Sequence, residues 1–249
     1  MIVVVAPDEL TNASVIGRLL EEVSWEGQRV RGYRDGGRGR ENVLTAEVFS
    51  PLSYLPRDQF LGEVLQSAHG AKEACLGAAA EIEDAHLVLL PDESLLPGSS
   101  VVVQPDATIE MPGHFVLIEA KRIRRATFQP EQLAREYITL LDQAAKRVPL
   151  LLLVLGEPPP IAVKGHGRLD PIEAVTAQLD SVLGRTKDYE ADAASLAAKL
   201  PDPLAWITWT EIREIVLRQA GGFVDLADGL AGTVDRLASA VVAAIDWHS

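Results

Sequence analysis

Val101-Val102-Val103-Gln104-Pro105-Asp106 leads into a turn region, and Phe115-Val116-Leu117-Ile118-Glu119-Ala120-Lys121 follows it. Both stretches are apolar and β-rich. Asp106 ends the first, and Glu119 and Lys121 end the second. Twelve residues separate Asp106 from Glu119. Glu119 and Lys121 are two apart in a strand, so they project from the same face while Ala120 points the other way. Pro-Asp occurs four times, at Asp8, Asp92, Asp106 and Asp202. Only at Asp106 does it end one β-like run and precede, across a turn, a second run that closes on Glu-x-Lys.

The flanks set this pair of runs in a mixed α/β chain. Upstream, residues 2–6 read as a buried strand and 13–23 as a helix with Val15, Leu19, Leu20 and Val23 on one face. Residues 26–40 hold five glycines among arginines and read as a loop. Helices are predicted at 42–54 and 58–83, with Pro56 between them. Short strands follow at 86–90, 100–104, 108–111 and 114–120, the last two joined by Pro112-Gly113. A helix over 129–147 precedes the apolar run 150–155, which reads as a central strand buried on both faces. Beyond Pro158-Pro159-Pro160, helices are predicted at 170–183, 191–200, 211–219 and 232–245, with a short strand near 206–209. The order in the middle is helix, three-strand meander, helix, strand. Strict alternation of strand and helix, as in a doubly wound sheet, is absent.

Composition bounds the chemistry. The 249 residues are 47% hydrophobic and 24% charged, enough to bury a sizeable core without covalent staples. One cysteine, Cys75, excludes an internal disulfide framework and a multi-cysteine zinc site. The apolar start at 1–6 is too short for a signal-peptide core, and 148–156 is about half of a bilayer span. A soluble, cytoplasmic protein is expected. The net charge of −13 argues against nonspecific nucleic-acid packaging. Positive charge is nonetheless concentrated locally: Arg29, Arg31, Arg34, Arg38 and Arg40 face only Asp35, and Lys121, Arg122, Arg124 and Arg125 lie together. Arg34, Arg38, Arg122, Arg124 and Arg125 are therefore the candidate phosphate-backbone contacts.

Two carboxylates held close together suit a hard divalent cation bound through oxygen. Asp106 and Glu119 would provide them, and the Ala120 carbonyl a third ligand. Such an ion neutralises charge on a scissile phosphate and acidifies a bound water. Lys121 beside it would orient that water and stabilise the transition state.

These residues resemble the PD-(D/E)xK nuclease superfamily, the restriction-endonuclease-like fold. The resemblance spans 41–156 and implies metal-binding acids at Asp106 and Glu119 and the family lysine at Lys121. It also implies an acid near the start of the first core helix, for which Glu41 is the candidate, with Glu47 and Glu63 behind it. A glutamine on the helix after the motif would be Gln132. Gln129 and Tyr137 lie on the same segment, with the Gln132-to-Tyr137 spacing one residue longer than the usual pattern.

The expectation is thus a restriction-endonuclease-like α/β core at 41–156. A strand–helix element and Arg/Gly-rich loop would occupy 1–40, and a mostly helical extension 157–249 would pack on the core. The implied activity is Mg²⁺-dependent hydrolysis of DNA, with Mn²⁺ as substitute and RNA as a possible substrate, in a restriction or defence setting. A homodimer or a targeting partner would fit, and no membrane. The alternative is a catalytically silent relative that keeps the fold as a binding or assembly module. The intact Asp106, Glu119 and Lys121 argue against it, and the acidic balance favours it. A site near Asp8 and Glu9 lacks the glycine fingerprint of a dinucleotide fold. His114 beside the turn, residues 164–168, Cys75, Trp206 and Trp209 read as a turn histidine, a loop, packing and core.

Overall fold

The computed structural model describes residues 40–124, 126–186, 191–223 and 228–249, with backbone alone at 40, 41 and 228. The elements expected within 1–39 lie outside it. Helix α1 spans Arg40–Tyr54, and its buried face carries Leu44, Val48, Phe49 and Leu52 at helical spacing. The helix expected at 58–83 is two: α2, Leu61–Ser67, and α3, Lys72–Ala80. Between them His69–Gly70 forms β1, an edge strand. Gly70 has φ 83°, and a Cβ there would lie 2.6 Å from the Leu204 carbonyl. Only glycine fits that positive φ and that close approach.

Strands β2, His86–Leu89, β5, Ala107–Glu110, and β6, His114–Ala120, form the meander. The run expected at 100–104 contributes only β4, Val102–Val103, which pairs with β3, Ser94–Leu95, in a separate hairpin. Asp106 therefore stands at the entry of β5. Helix α4, Gln132–Ala144, leads to β7, Val148–Leu155. The 164–168 stretch is the turn and return of a second hairpin, β8, Ile161–Val163, with β9, Gly167–Leu169.

Short helices α5, Pro171–Thr176, α6, Leu179–Leu183, and α7, Ala193–Lys199, follow. Strand β10, Leu204–Thr208, and helices α8, Trp209–Gly221, and α9, Asp228–His248, complete the described chain. Helix α8 starts earlier than the apolar pattern suggests because Thr208 and Glu211 form a capping box.

The central sheet has six strands in the order β1-β10-β7-β6-β5-β2. β7 is parallel to both neighbours, β6 and β10, and the outer pairings are antiparallel. Residues 157–249, expected to pack on the core, thus supply a strand to the sheet itself. Helices α1, α2, α3, α8 and α9 bury one face together with Val116, Ile118, Ala120, Leu150, Leu152 and Val154. Helices α4 to α7 bury the other with Phe115, Leu117, Leu151, Leu153 and Leu155. The Leu-rich run of β7 divides between two cores, each side chain contributing roughly 1.5–3 kcal/mol on burial. Cys75 is buried in the first core, and burial pushes its thiol up to about 11.

Gly156 ends β7 against the segment that leaves β6. A Cβ on it would lie 2.2 Å from the Ile123 carbonyl oxygen and 2.7 Å from that of Arg122. Both obstacles are backbone, so Gly156→Ala is expected to destabilise the fold by about 1–3 kcal/mol, as overpacking does. Denaturant unfolding checks this, and an unchanged midpoint would contradict it.

Candidate anion-binding cleft

The pleat of β6 places Phe115, Leu117 and Glu119 on the face covered by α4. Glu119 and Lys121 are buried there, 2% and 5% exposed. Lys121 Nζ donates to Glu119 Oε1 at 2.5 Å and stands 5.0 Å from the centre of the Phe128 ring. Gln132, in the first turn of α4, donates its amide to the same Glu119 oxygen. Asp106 Oδ2 accepts from the Ala120 amide at 2.7 Å. The Lys121 amide continues the ladder to Val154 O at 2.8 Å, and its carbonyl accepts from Trp209 Nε1 at 2.7 Å.

Asp106, Glu119, Lys121 and Gln132 are thus joined, as the sequence places them, but by bonds to one another and to backbone. Among the described residues no group of three or more His, Cys, Asp and Glu side chains is disposed to hold a metal ion. This overturns the Mg²⁺ or Mn²⁺ site expected at Asp106, Glu119 and the Ala120 carbonyl. The metal-dependent endonuclease built on it falls with it. The physical reason is occupancy: Glu119 Oε1 serves the Lys121 ammonium and the Gln132 amide, and an Asp106 oxygen serves the strand that carries Glu119.

The other expected acids stand elsewhere. Glu47 meets His248 Nε2 at 3.1 Å, and Glu63 meets Arg218 at 2.6 Å. Arg34, Arg38, Arg125 and the Glu41 side chain lie outside the described residues. Tyr137 donates its hydroxyl to Leu196 O at 3.1 Å, fastening α4 to α7. His114 begins β6, the far end of that strand from Lys121. Its Nδ1 is 3.2 Å from Glu81 Oε1, and its side chain is 12% exposed, so it is neither a site residue nor a solvated turn histidine. Trp209 is core, and Trp206 stacks on His69 at the sheet edge, ring centres 4.1 Å apart.

Glu136 is the residue that sequence reasoning missed. It follows Gln132 by one helical turn, so it shares that face of α4. It is 2% exposed, and its Oε2 has no hydrogen-bond partner. Burial first, then the Glu119 charge, push its carboxyl well above the ordinary range. Its signal was the four-residue spacing from Gln132, legible only once α4 is known to face Glu119.

Lys121 opens into a cavity of about 380 Å³ lined also by Arg122, Thr127, Phe128, Glu157 and Arg168. A second cavity of about 380 Å³ adjoins it, sharing Arg122 and Ile123 and adding Arg124, Trp247 and His248. Arg168 stands 3.7 Å from Glu157, the one acidic side chain among the described lining residues. The two cavities form a cationic cleft on a chain of net charge −13. Among the described residues no helix is long and apolar enough to cross a membrane. No protein-family model, no curated protein and no solved structure matches the chain.

Two stability predictions follow from the buried network. Lys121→Ala leaves Glu119 buried without its cation and is expected to cost about 3–5 kcal/mol. Glu136 has a raised pKa in the folded chain, so the folded state holds its proton more tightly than the unfolded one. Its contribution to stability is complete at low pH and is lost as pH rises from the ordinary carboxylate range through the raised value. Glu136→Gln keeps the shape and carries no titration, so its unfolding free energy should lack that decline. Parallel pH profiles for the two proteins would contradict this assignment.

Proposed function

We propose that the chain is a binding module on a restriction-endonuclease-like frame, and that its cleft takes the sugar-phosphate backbone of a nucleic acid without cutting it. The frame reading is supported by the order α1, meander β2-β5-β6, α4, parallel β7. It is supported too by the position of Asp106, Glu119 and Lys121 at one end of that meander. The observation that carries the binding reading is the pair of adjoining cavities that share Arg122, with Arg124 in one and Arg168, beside Glu157, in the other, while Lys121 is held by Glu119. Guanidinium groups match phosphate geometry and bind it bidentately. The carboxylates that would repel a backbone are turned inward: Glu119 is neutralised by Lys121, and Glu136 favours its neutral form. On a chain of net charge −13, binding at this cleft works against long-range repulsion from the acidic remainder, so it should be local and salt-sensitive.

Fluorescence anisotropy with a labelled oligonucleotide at several salt concentrations tests the reading. Arg122→Ala combined with Arg124→Ala should weaken binding and reduce the slope of log affinity against log salt by about 1.4–1.8, if each guanidinium neutralises one phosphate. Affinity should be the same in Mg²⁺ and in chelator, and the oligonucleotide should remain intact. An unchanged slope would overturn the cleft assignment, and cleavage products dependent on Glu119 would overturn the silent module.

A further inference from the structure

Trp247 and Tyr54 are the strongly exposed aromatic side chains among the described residues, at 60% and 76%. A single exposed ring is ordinary on a protein surface, so what matters is what stands beside it. Trp247 lies in the last turns of α9 and lines the second cavity with Arg122 and Arg124. Its ring is held from one side. His248 meets it edge to face, ring centres 4.6 Å apart at 85°. The His248 side chain is only 5% exposed and is anchored by Glu47 at 3.1 Å. A solvent-facing indole that lines one cavity with two guanidinium groups offers a π-face next to phosphate-matching donors.

We infer that this cleft binds single-stranded nucleic acid, with one base stacked on Trp247 and the adjoining phosphates on Arg122 and Arg124. The inference rests on the binding-module reading and narrows it. In a duplex both faces of each internal base are already stacked on neighbours, so an indole gains nothing without unstacking. In a single strand every base offers a π-face, and stacking with phosphate neutralisation is the sequence-tolerant mode of recognition. His248 serves as a positioning residue for the ring.

The test uses the full chain with fluorescein-labelled oligo(dT), oligo(U) and a mixed-sequence duplex of equal length, at low salt. The wild type should bind at least one of the single strands more tightly than the duplex. Trp247→Ala should weaken that single-strand binding roughly 5- to 140-fold, and Trp247→Phe much less. Duplex affinity should be unchanged by either variant. An exposed ring is not needed for folding, and equal melting curves for the three proteins establish that. Preference for oligo(dT) over oligo(U), or the reverse, separates DNA from RNA within the proposal. Single-strand binding unaffected by Trp247→Ala, or a preference for duplex, overturns the inference. Duplex binding that depends on Arg122 and Arg124 would then leave the binding module standing. Failure to bind any of the three probes removes both.

Discussion

Parallel pairing of β6 with β7 is the constraint on which the remainder of the structure rests. β7 is apolar on both faces and needs a neighbour on each side and helices above and below. β6 satisfies one side, and the pleat then decides what each of its residues meets. Val116, Ile118 and Ala120 join one core, Phe115 and Leu117 the other. Glu119 and Lys121 must follow Leu117 under α4. A charged pair in that position is tolerable only if it is satisfied there, because an unpaired buried charge costs several kcal/mol. Gln132 and the Lys121 ammonium provide that satisfaction.

From this follows the division of charge at the end of the sheet. The acids turn inward, where one oxygen each of Asp106 and Glu119 meets an internal partner. The cations that follow Glu119 along the chain, Lys121, Arg122 and Arg124, line the exit. Gly156 allows the β6 exit segment to lie directly on the end of β7, and Trp209 ties it to α8 through the Lys121 carbonyl. The cleft is thus rooted in both faces of the sheet. A surface fixed in this way would lose little entropy on meeting the proposed ligand, which favours affinity without requiring a large interface.

Much of this was legible from local pattern. The alternation in 114–120 placed Glu119 and Lys121 on one face, and the unbroken apolar run marked the doubly buried strand. The motif spacing grouped Asp106, Glu119 and Lys121, and the family resemblance added Gln132. It could not say what their atoms bond to. Whether Glu119 faces a metal or an amide depends on how α4 docks, a long-range property. The same is true of Glu136, whose significance appears only with the helix in place. His69–Gly70 read as helix because its strand partner, β10, lies far along the chain. Trp247 is separated from Arg122 by more of the chain than any local pattern spans, so nothing in either neighbourhood announced the shared cavity.

The central claim is that the acids of this site are internal partners and the cations beside them meet the ligand. A two-dimensional NMR titration of the isotopically labelled protein tests it most directly, with Mg²⁺ in one series and a short oligonucleotide in another. The account predicts oligonucleotide-dependent shifts at Arg122, Arg124, Arg168 and the Trp247 indole, and no saturable Mg²⁺-dependent shift at Asp106, Glu119 or Ala120. Saturable Mg²⁺ shifts at those three residues, or oligonucleotide shifts confined to another face of the protein, would contradict it.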